Sequence, residues 1–261
     1  RVPVPSSDSS YSVLVTGCSL ADPSTISTPG ATLFDVARDN GFLCMALLQR
    51  SDQIKMVLEQ DGVLFWDDEP IVGARGDVSP EIISLLQNWQ DKFSVHTVEE
   101  GVGDHVKYNV LSLDAATDLV QHLSLSSKSF LLMVNIEAVN RSGHDLGPEG
   151  YLEAIAGLDA PLGNLIQTCQ ENHVILLVTS DHGMYFPSNL GRGGCNFKYS
   201  SKMECLRVPA VFFGPGVDDF VLAGDWSQAD LAPTLLDLLD LPQGLLLAEG
   251  SPMPVRERYD P

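Results

Sequence analysis

Four short stretches concentrate the residue types that can do chemistry. In "VTSDHGM" (178–184) an apolar run stops at Asp181 and His182, with Gly183 directly after. Neighbouring side chains on an extended strand point to opposite faces. A carboxylate and an imidazole can therefore share a site only where the strand ends and the chain turns, and Gly183 permits such a turn. This pair suits a metal ion, a proton-transfer pair or a buried hydrogen bond. A second stretch, "NRSGH", sets Asn140 and His144 four positions apart with Gly143 between them, just past the apolar "SFLLMVNIEAV". That spacing can bring both side chains to one centre. The third is Cys195 within "LGRGGCNF", and the fourth is the hydroxyl-rich "SSDSSYSVLVTG" (6–17) before a turn or helix start. A serine at a helix N-terminus is surrounded by unpaired backbone N–H groups and the positive end of the helix dipole. Both favour an alkoxide or a bound phosphate.

These residues need elements to hold them. The runs "FLCMALLQ", "SFLLMVNIEAV" (129–139), "HVILLVTS" (173–180) and "PAVFFGPG" (209–216) are apolar without alternation, which predicts buried strands. Helical patterns lie between them. "TPGATLFDVARDNG" carries Leu33, Val36 or Ala37, and Asn40 on one face, with Gly41 as its stop. "SPEIISLLQNWQ" has Ser79 as cap and Pro80 at the first helical position. "SLDAATDLVQHL" and "GYLEAIAGLDAPLGNLIQTC" keep the same period, the latter with a disturbance predicted at Pro161, and "SQADLAPTLLDLLDL" closes the series. Strands alternating with helices predict an α/β fold, a three-layer sandwich with a mainly parallel central sheet and helices on both faces. The expectation is a single domain over residues 1–261, with 50–125 as a substrate-side region. Sites in such folds gather beyond the carboxyl ends of the strands, where Asp181, His182, Asn140 and His144 all fall.

Composition narrows the partners. The net charge of −20 repels phosphate backbones and anionic lipid, which argues against nucleic acid and membrane surfaces. No apolar segment approaches the roughly 18 residues needed to span a bilayer. The five cysteines (18, 44, 169, 195 and 205) are odd in number and show no CxxC pair. Cys18, Cys44 and Cys169 sit in apolar surroundings as core thiols, so a reducing, cytoplasmic compartment is expected.

Taken together, the motifs resemble the alkaline phosphatase superfamily of binuclear metalloenzymes. The likeness runs through "VTSDHGM" with its glycine-rich loop, Glu204 and "RVPAVFFGPGV", through "NRSGHDLGPEGYLEAIAGLD", "SSYSVLVTGCS" and "ADLAPTLLDLLDLP". The resemblance implies Asp181 and His182 as ligands of the metal site that also holds the nucleophile, and His144 as a ligand of the other. Ser7 falls at the nucleophile position, with Ser6 and Ser9 close by. Asn140 stands where the family has a metal-binding Asp, and Cys195 where it has its last His. The family's first Asp would fall before Arg1, on a strand upstream. Asn offers a carbonyl oxygen without the charge, whereas a Cys thiolate is a legitimate zinc ligand.

The implied activity is metal-dependent hydrolysis of a small phosphoester, phosphodiester or pyrophosphate. Zinc is the expected metal, with manganese or magnesium as alternatives. A catalytically impaired, ligand-binding relative is the other class, favoured by Asn140 and Cys195. A phosphoglycerate-mutase-like phosphotransferase is a third reading. Long mutases carry a large insertion, whereas about 130 residues separate Ser7 from Asn140 here. Sulfatases are disfavoured because no C-x-P-S-R-like signal exists.

Overall fold

The computed structural model describes residues 1–49, 54–66, 69–95, 102–188, 191–195, 198–219 and 221–256. In chain order the first elements are α1 (Ser7–Thr16), α2 (Pro23–Ile26), α3 (Leu33–Asp39), β1 (Leu43–Gln49), α4 (Ile54–Leu58), β2 (Gly62–Trp66) and β3 (Pro70–Ala74). Then come α5 (Pro80–Ser94), α6 (Val102–Ser124), β4 (Phe130–Val134), α7 (Ala138–Glu171) and β5 (Leu176–Thr179). The last are α8 (Met203–Leu206), β6 (Ala210–Phe213) and α9 (Leu231–Leu238), which a 3-10 turn at Gln228–Asp230 precedes. The chain divides into two compact units. One comprises 1–41, 173–183 and 195–261, and the other comprises 42–172 and 184–194.

The second unit holds the central sheet, ordered β3-β2-β1-β4, with helices around it. β1 pairs parallel with β2 and with β4, while β3 returns antiparallel beside β2. All seven residues of β1 are buried, as expected for a parallel strand covered on both faces. Across it, Met45 is the register partner of Gly62, and a Cβ on Gly62 would lie 2.6 Å from the Met45 sulfur. The glycine thus makes room for the methionine. β2 and β3 were not anticipated from the sequence, because five-residue runs carry too little periodicity to separate strand from loop.

Two caps place the helices. Ser79 accepts from the Ile82 N–H and Pro80 opens α5, as read from sequence, burying Ile82, Leu86, Trp89 and Phe93 as one stripe. Glu137, before α7, makes no side-chain cap. Its role passes to Asn109 of α6, whose Oδ1 accepts from the Ala138 N–H at 2.8 Å. The Asn109 amide donates to Gln49 at the end of β1, and Gln49 donates to Ser112. This buried polar chain fixes where α7 begins.

The disturbance in α7 is not at Pro161. Its one non-helical residue is Gly147, at φ 75° and ψ −160°, which breaks the helix between its first two turns and the rest. Pro161 lies within unbroken helical backbone, and the carbonyl it strips of a partner belongs to exposed Gly157.

In the first unit, Thr32 and Asp35 form a reciprocal capping box on α3, which buries Leu33, Phe34, Val36 and Ala37. Gly41, beyond its end, takes φ 83°. β5 and β6 pair antiparallel, Leu176 opposite Phe213, so parallel pairing does not extend to this two-stranded sheet. Behind it, Leu231, Leu238, Met253 and Val255 form a core on which Leu177 and Phe212 pack. Among the described residues no helix is long and apolar enough to cross a membrane.

Candidate active site

β5 ends at Thr179, and the next four residues make the turn that carries the chemistry. Ser180 closes it by donating its hydroxyl to the His182 carbonyl at 2.5 Å. Gly183 then passes against α8. Its N–H donates to the Cys205 carbonyl, and a Cβ there would stand 1.9 Å from the Glu204 carbonyl oxygen. Gly183 is therefore needed for close backbone approach, and its φ is not left-handed. The turn brings Asp181 and His182 to one place, with Asp181 Oδ2 3.5 Å from His182 Nε2.

The tautomer of His182 follows from geometry. Nδ1 lies 2.7 Å from the Gly183 carbonyl oxygen, which can only accept, so Nδ1 carries a proton. In the neutral ring the lone pair is then on Nε2, the atom facing Asp181 Oδ2 and, at 3.4 Å, Ser7 Oγ. A carboxylate and an imidazole lone pair aimed at each other repel unless something positive intervenes. Either a second ring proton or a metal ion would supply it.

Ser7 opens α1, a ten-residue helix whose preceding residue, Ser6, makes no side-chain cap. The first-turn N–H groups, at the positive end of the helix dipole, therefore receive no side-chain cap from Ser6. Ser10 is buried and turned away, donating to the Val4 carbonyl. Of the serines in the cluster, Ser7 is the one this arrangement presents to His182.

Cys195 was expected as a thiolate ligand, and the structure corrects this. It forms a disulfide with Cys205, and its sulfur lies 2.9 Å from the Gly183 carbonyl oxygen. A sulfur bonded to another sulfur carries no charge to hold a cation. Cys44 and Cys169 are buried thiols as read from sequence, and Cys18 is half-buried. Burial pushes the Cys169 thiol up to about 11.

Asn140 and His144 belong to the other unit, on the first turns of α7. Four positions apart on a helix, they share one face. His144 Nδ1 is 2.9 Å from the Gly193 carbonyl oxygen and so donates to it, leaving the lone pair of the neutral ring on Nε2. Asn140 Oδ1 is buried with no hydrogen-bond donor. The glycines around them are steric requirements. A Cβ on Gly143 or on Gly193 would stand 2.3 Å from the Met184 sulfur, and the Gly193 N–H donates to the Gly143 carbonyl. Gly147 faces the Gly191 carbonyl, and Tyr151 packs edge-on to Phe186. Residues 184–188 and 191–194 thus lie on α7 with Met184 as their plug. Burial pushes the Tyr151 phenol up.

Among the described residues no three His, Cys, Asp or Glu side chains form a ready metal cage. The donors still fit a cation in part. In one unit the Nε2 lone pair of His182, the Asp181 carboxylate and the Ser7 hydroxyl face one another. In the other an orphaned amide oxygen lies one helical turn from an imidazole whose tautomer a carbonyl fixes. A carbonyl holding the non-ligating nitrogen is the usual support of a metal-binding histidine. Sequence reading missed two supports of the Asp181–His182 turn, Ser180 and Gln228. Gln228 directly precedes an apolar helix and could not be told there from a solvated cap.

Comparison with known proteins finds a family and a shared fold. The family model described as "Metalloenzyme superfamily" matches residues 83–243, more than half of the chain. A 2,3-bisphosphoglycerate-independent phosphoglycerate mutase from Acinetobacter baylyi is 28% identical over 133 residues, which are 51% of this chain and 25% of the mutase. A phosphopentomutase from Kosmotoga olearia is 27% identical over 161 residues, 59% of this chain and 38% of that protein. The chain thus spans well under half the length of these relatives. The solved alkaline phosphatase from the Antarctic bacterium TAB5 shares the fold, with a TM-score of 0.56 at 16% identity over 93% of this chain and 86% of that one. On the strength of the matched residues, the chain belongs to the metalloenzyme superfamily.

Proposed function

We propose that the protein is a metal-dependent hydrolase of small phosphoesters or pyrophosphates with Ser7 as nucleophile. The observation that carries this is the meeting of Ser7 Oγ, at the start of a helix, with Nε2 of a histidine whose tautomer is fixed. Asp181 and His182 would hold a divalent cation beside Ser7, and His144 with Asn140 would supply a second pair of donors. Zinc suits the imidazoles, and manganese or magnesium the oxygens. When bound, such a cation lowers the pKa of the serine hydroxyl and offsets charge on the transferred group.

The chain's own residues do the rest. Ser7 Oγ gives its proton to water and attacks phosphorus, forming the Oγ–P bond while the bond to the leaving oxygen breaks and that oxygen takes a proton from water. The first-turn N–H groups of α1 donate to the phosphoryl oxygens. His182 is held in line by the Gly183 carbonyl, and Asp181 by the bond its own carbonyl accepts from the Gln228 side-chain amide. Water then cleaves the phosphoserine and frees Ser7. The family implies the use of a divalent metal, whereas its identity and the substrate are part of the proposal. The acidic surface favours a small phosphorylated substrate over nucleic acid. The disulfide argues for an oxidising compartment in place of the reducing one that the cysteine pattern suggested.

The test is turnover of p-nitrophenyl phosphate and its bis-ester by the purified protein loaded with zinc, manganese or magnesium. Turnover lost in Ser7→Ala, with phosphate found on Ser7 in wild type, supports the reading. No turnover with any of these metals overturns it. That outcome favours the second reading, a relative that binds a ligand without catalysis, which neutral Asn140 and the oxidised Cys195 motivate.

A further inference from the structure

We propose that Gln228 is a positioning residue that sets the separation of Ser7 from His182, an inference that rests on the reading of Ser7 as nucleophile and of His182 as holder of the cation beside it. Gln228 stands in the 3-10 turn before α9 and is 1% exposed. Its side-chain Nε2 has two hydrogens, and it donates to two successive carbonyls, Asp181 at 2.9 Å and Ser180 at 3.3 Å. These carbonyls belong to the turn that presents His182. Its backbone N–H donates to the Arg1 carbonyl at 2.8 Å, at the root of the arm that leads to Ser7. One residue therefore grips both the turn that carries His182 and the arm that leads to Ser7. The arm is held once more where Val2 N–H donates to the Leu206 carbonyl, directly after Cys205, whose carbonyl holds Gly183.

The grip needs a rigid base, and the turn has one. Ser227 and Asp230 form a reciprocal capping box, and the other Asp230 oxygen accepts from the Ser251 N–H. A Cβ on Gly250 would stand 2.1 Å from the Ala229 carbonyl oxygen, so the segment around Gly250 is packed to backbone contact. The amide of Gln228 is also fixed in sense, because a flip would turn Oε1 against two carbonyl oxygens. In the sense observed, Oε1 is buried without a donor. A buried amide that leaves its own oxygen unsatisfied is poorly suited to stability alone. It is well suited to holding two carbonyls where they are.

The experiment compares Gln228→Met, which keeps the length and removes both donors, with Leu238→Ala, a core truncation in the same unit that loses stability elsewhere. Turnover of p-nitrophenyl phosphate is read as kcat and KM below the unfolding range of each variant, and the His182 ring-nitrogen signals are read by NMR at one fixed pH. Their signals are assigned from their absence in His182→Gln. Gln228→Met should lower kcat at least about tenfold with KM within twofold. It should also displace the His182 ring-nitrogen signals, while Leu238→Ala changes neither. Wild-type kcat in Gln228→Met, or an equal loss in Leu238→Ala, overturns the proposal. Should wild type show no turnover, the hydrolase reading falls and the NMR arm decides alone. A His182 signal unchanged in Gln228→Met then overturns the positioning role, and a displaced one upholds it.

Discussion

Adding one methyl group at Gly183 should be among the most damaging changes available in the first unit. The new Cβ would be 1.9 Å from the Glu204 carbonyl oxygen, 3.0 Å from its carbon and 3.1 Å from the Arg207 oxygen. All three are backbone atoms, so no side chain can swing aside. Relief requires α8 to retreat by more than an ångström, yet α8 is tied through the Cys195–Cys205 disulfide and by the Val2 bond to Leu206. Overpacking of this kind costs about 1–3 kcal/mol. The Gly183 N–H bond to Cys205 is stretched at the same time, adding about 1 kcal/mol. The sum, about 2–4 kcal/mol, is a large share of the stability of a domain. The matched control is Gly163→Ala in α7, where nothing lies within 4 Å of the added carbon. There the same methyl should stabilise by about 0.5–1 kcal/mol through helix propensity. Urea unfolding with linear extrapolation measures both. A Gly183→Ala protein within about 0.5 kcal/mol of wild type would refute the close-approach argument.

Other outcomes follow from the same geometry. Asn140→Asp places a carboxylate where the buried amide oxygen has no donor, and should tighten zinc binding at least about tenfold by chelator competition. No gain would mean that this oxygen does not face a cation. Reducing the Cys195–Cys205 bond, or making Cys205→Ser, frees a thiol beside the Gly183 carbonyl and should likewise raise zinc affinity about tenfold. Equal affinity in the oxidised and reduced protein would leave Cys195 without a metal role. Burial pushes the Cys169 thiol up to about 11 and so disfavours its thiolate. At pH 8 iodoacetamide should label it at least about a hundredfold more slowly than an ordinary thiol, with the full rate in urea. Equal rates in both states would contradict that burial.

The parts of the site visible in the sequence were those where a strong local pattern changes abruptly. The apolar run into Asp181-His182-Gly183 announces a strand end, and the structure puts the turn there. Ser79-Pro80 and the burial of Leu33, Val36 and Ala37 are local signals that survive tertiary packing, whereas Asn40, expected on the same face, is exposed at the helix end. What stayed hidden depends on partners far along the chain. Nothing around Cys195 or Cys205 marks them as neighbours, and Gln228 acts on carbonyls 47 and 48 positions away. The α7 break was misplaced because proline carries the stronger local prior. The decisive fact was Gly147 facing the Gly191 carbonyl. The four-residue spacing of Asn140 and His144 did point to one face, and α7 supplies it as helix.

The loop 184–194 has a bearing on how this chain comes to fold. It leaves the first unit at Gly183, completes the second unit, and returns at Cys195. Residues 42–172 emerge from the ribosome without it, and until it arrives Gly143 has no Met184 against it and His144 no Gly193 carbonyl to fix its ring. The nascent second unit can form its sheet early, yet its histidine is oriented only after β5 has been synthesised. Closing the Cys195–Cys205 bond ahead of that docking would shorten the tether available to the loop. Oxidative folding should therefore proceed fastest when the thiols stay reduced until the loop has settled on α7.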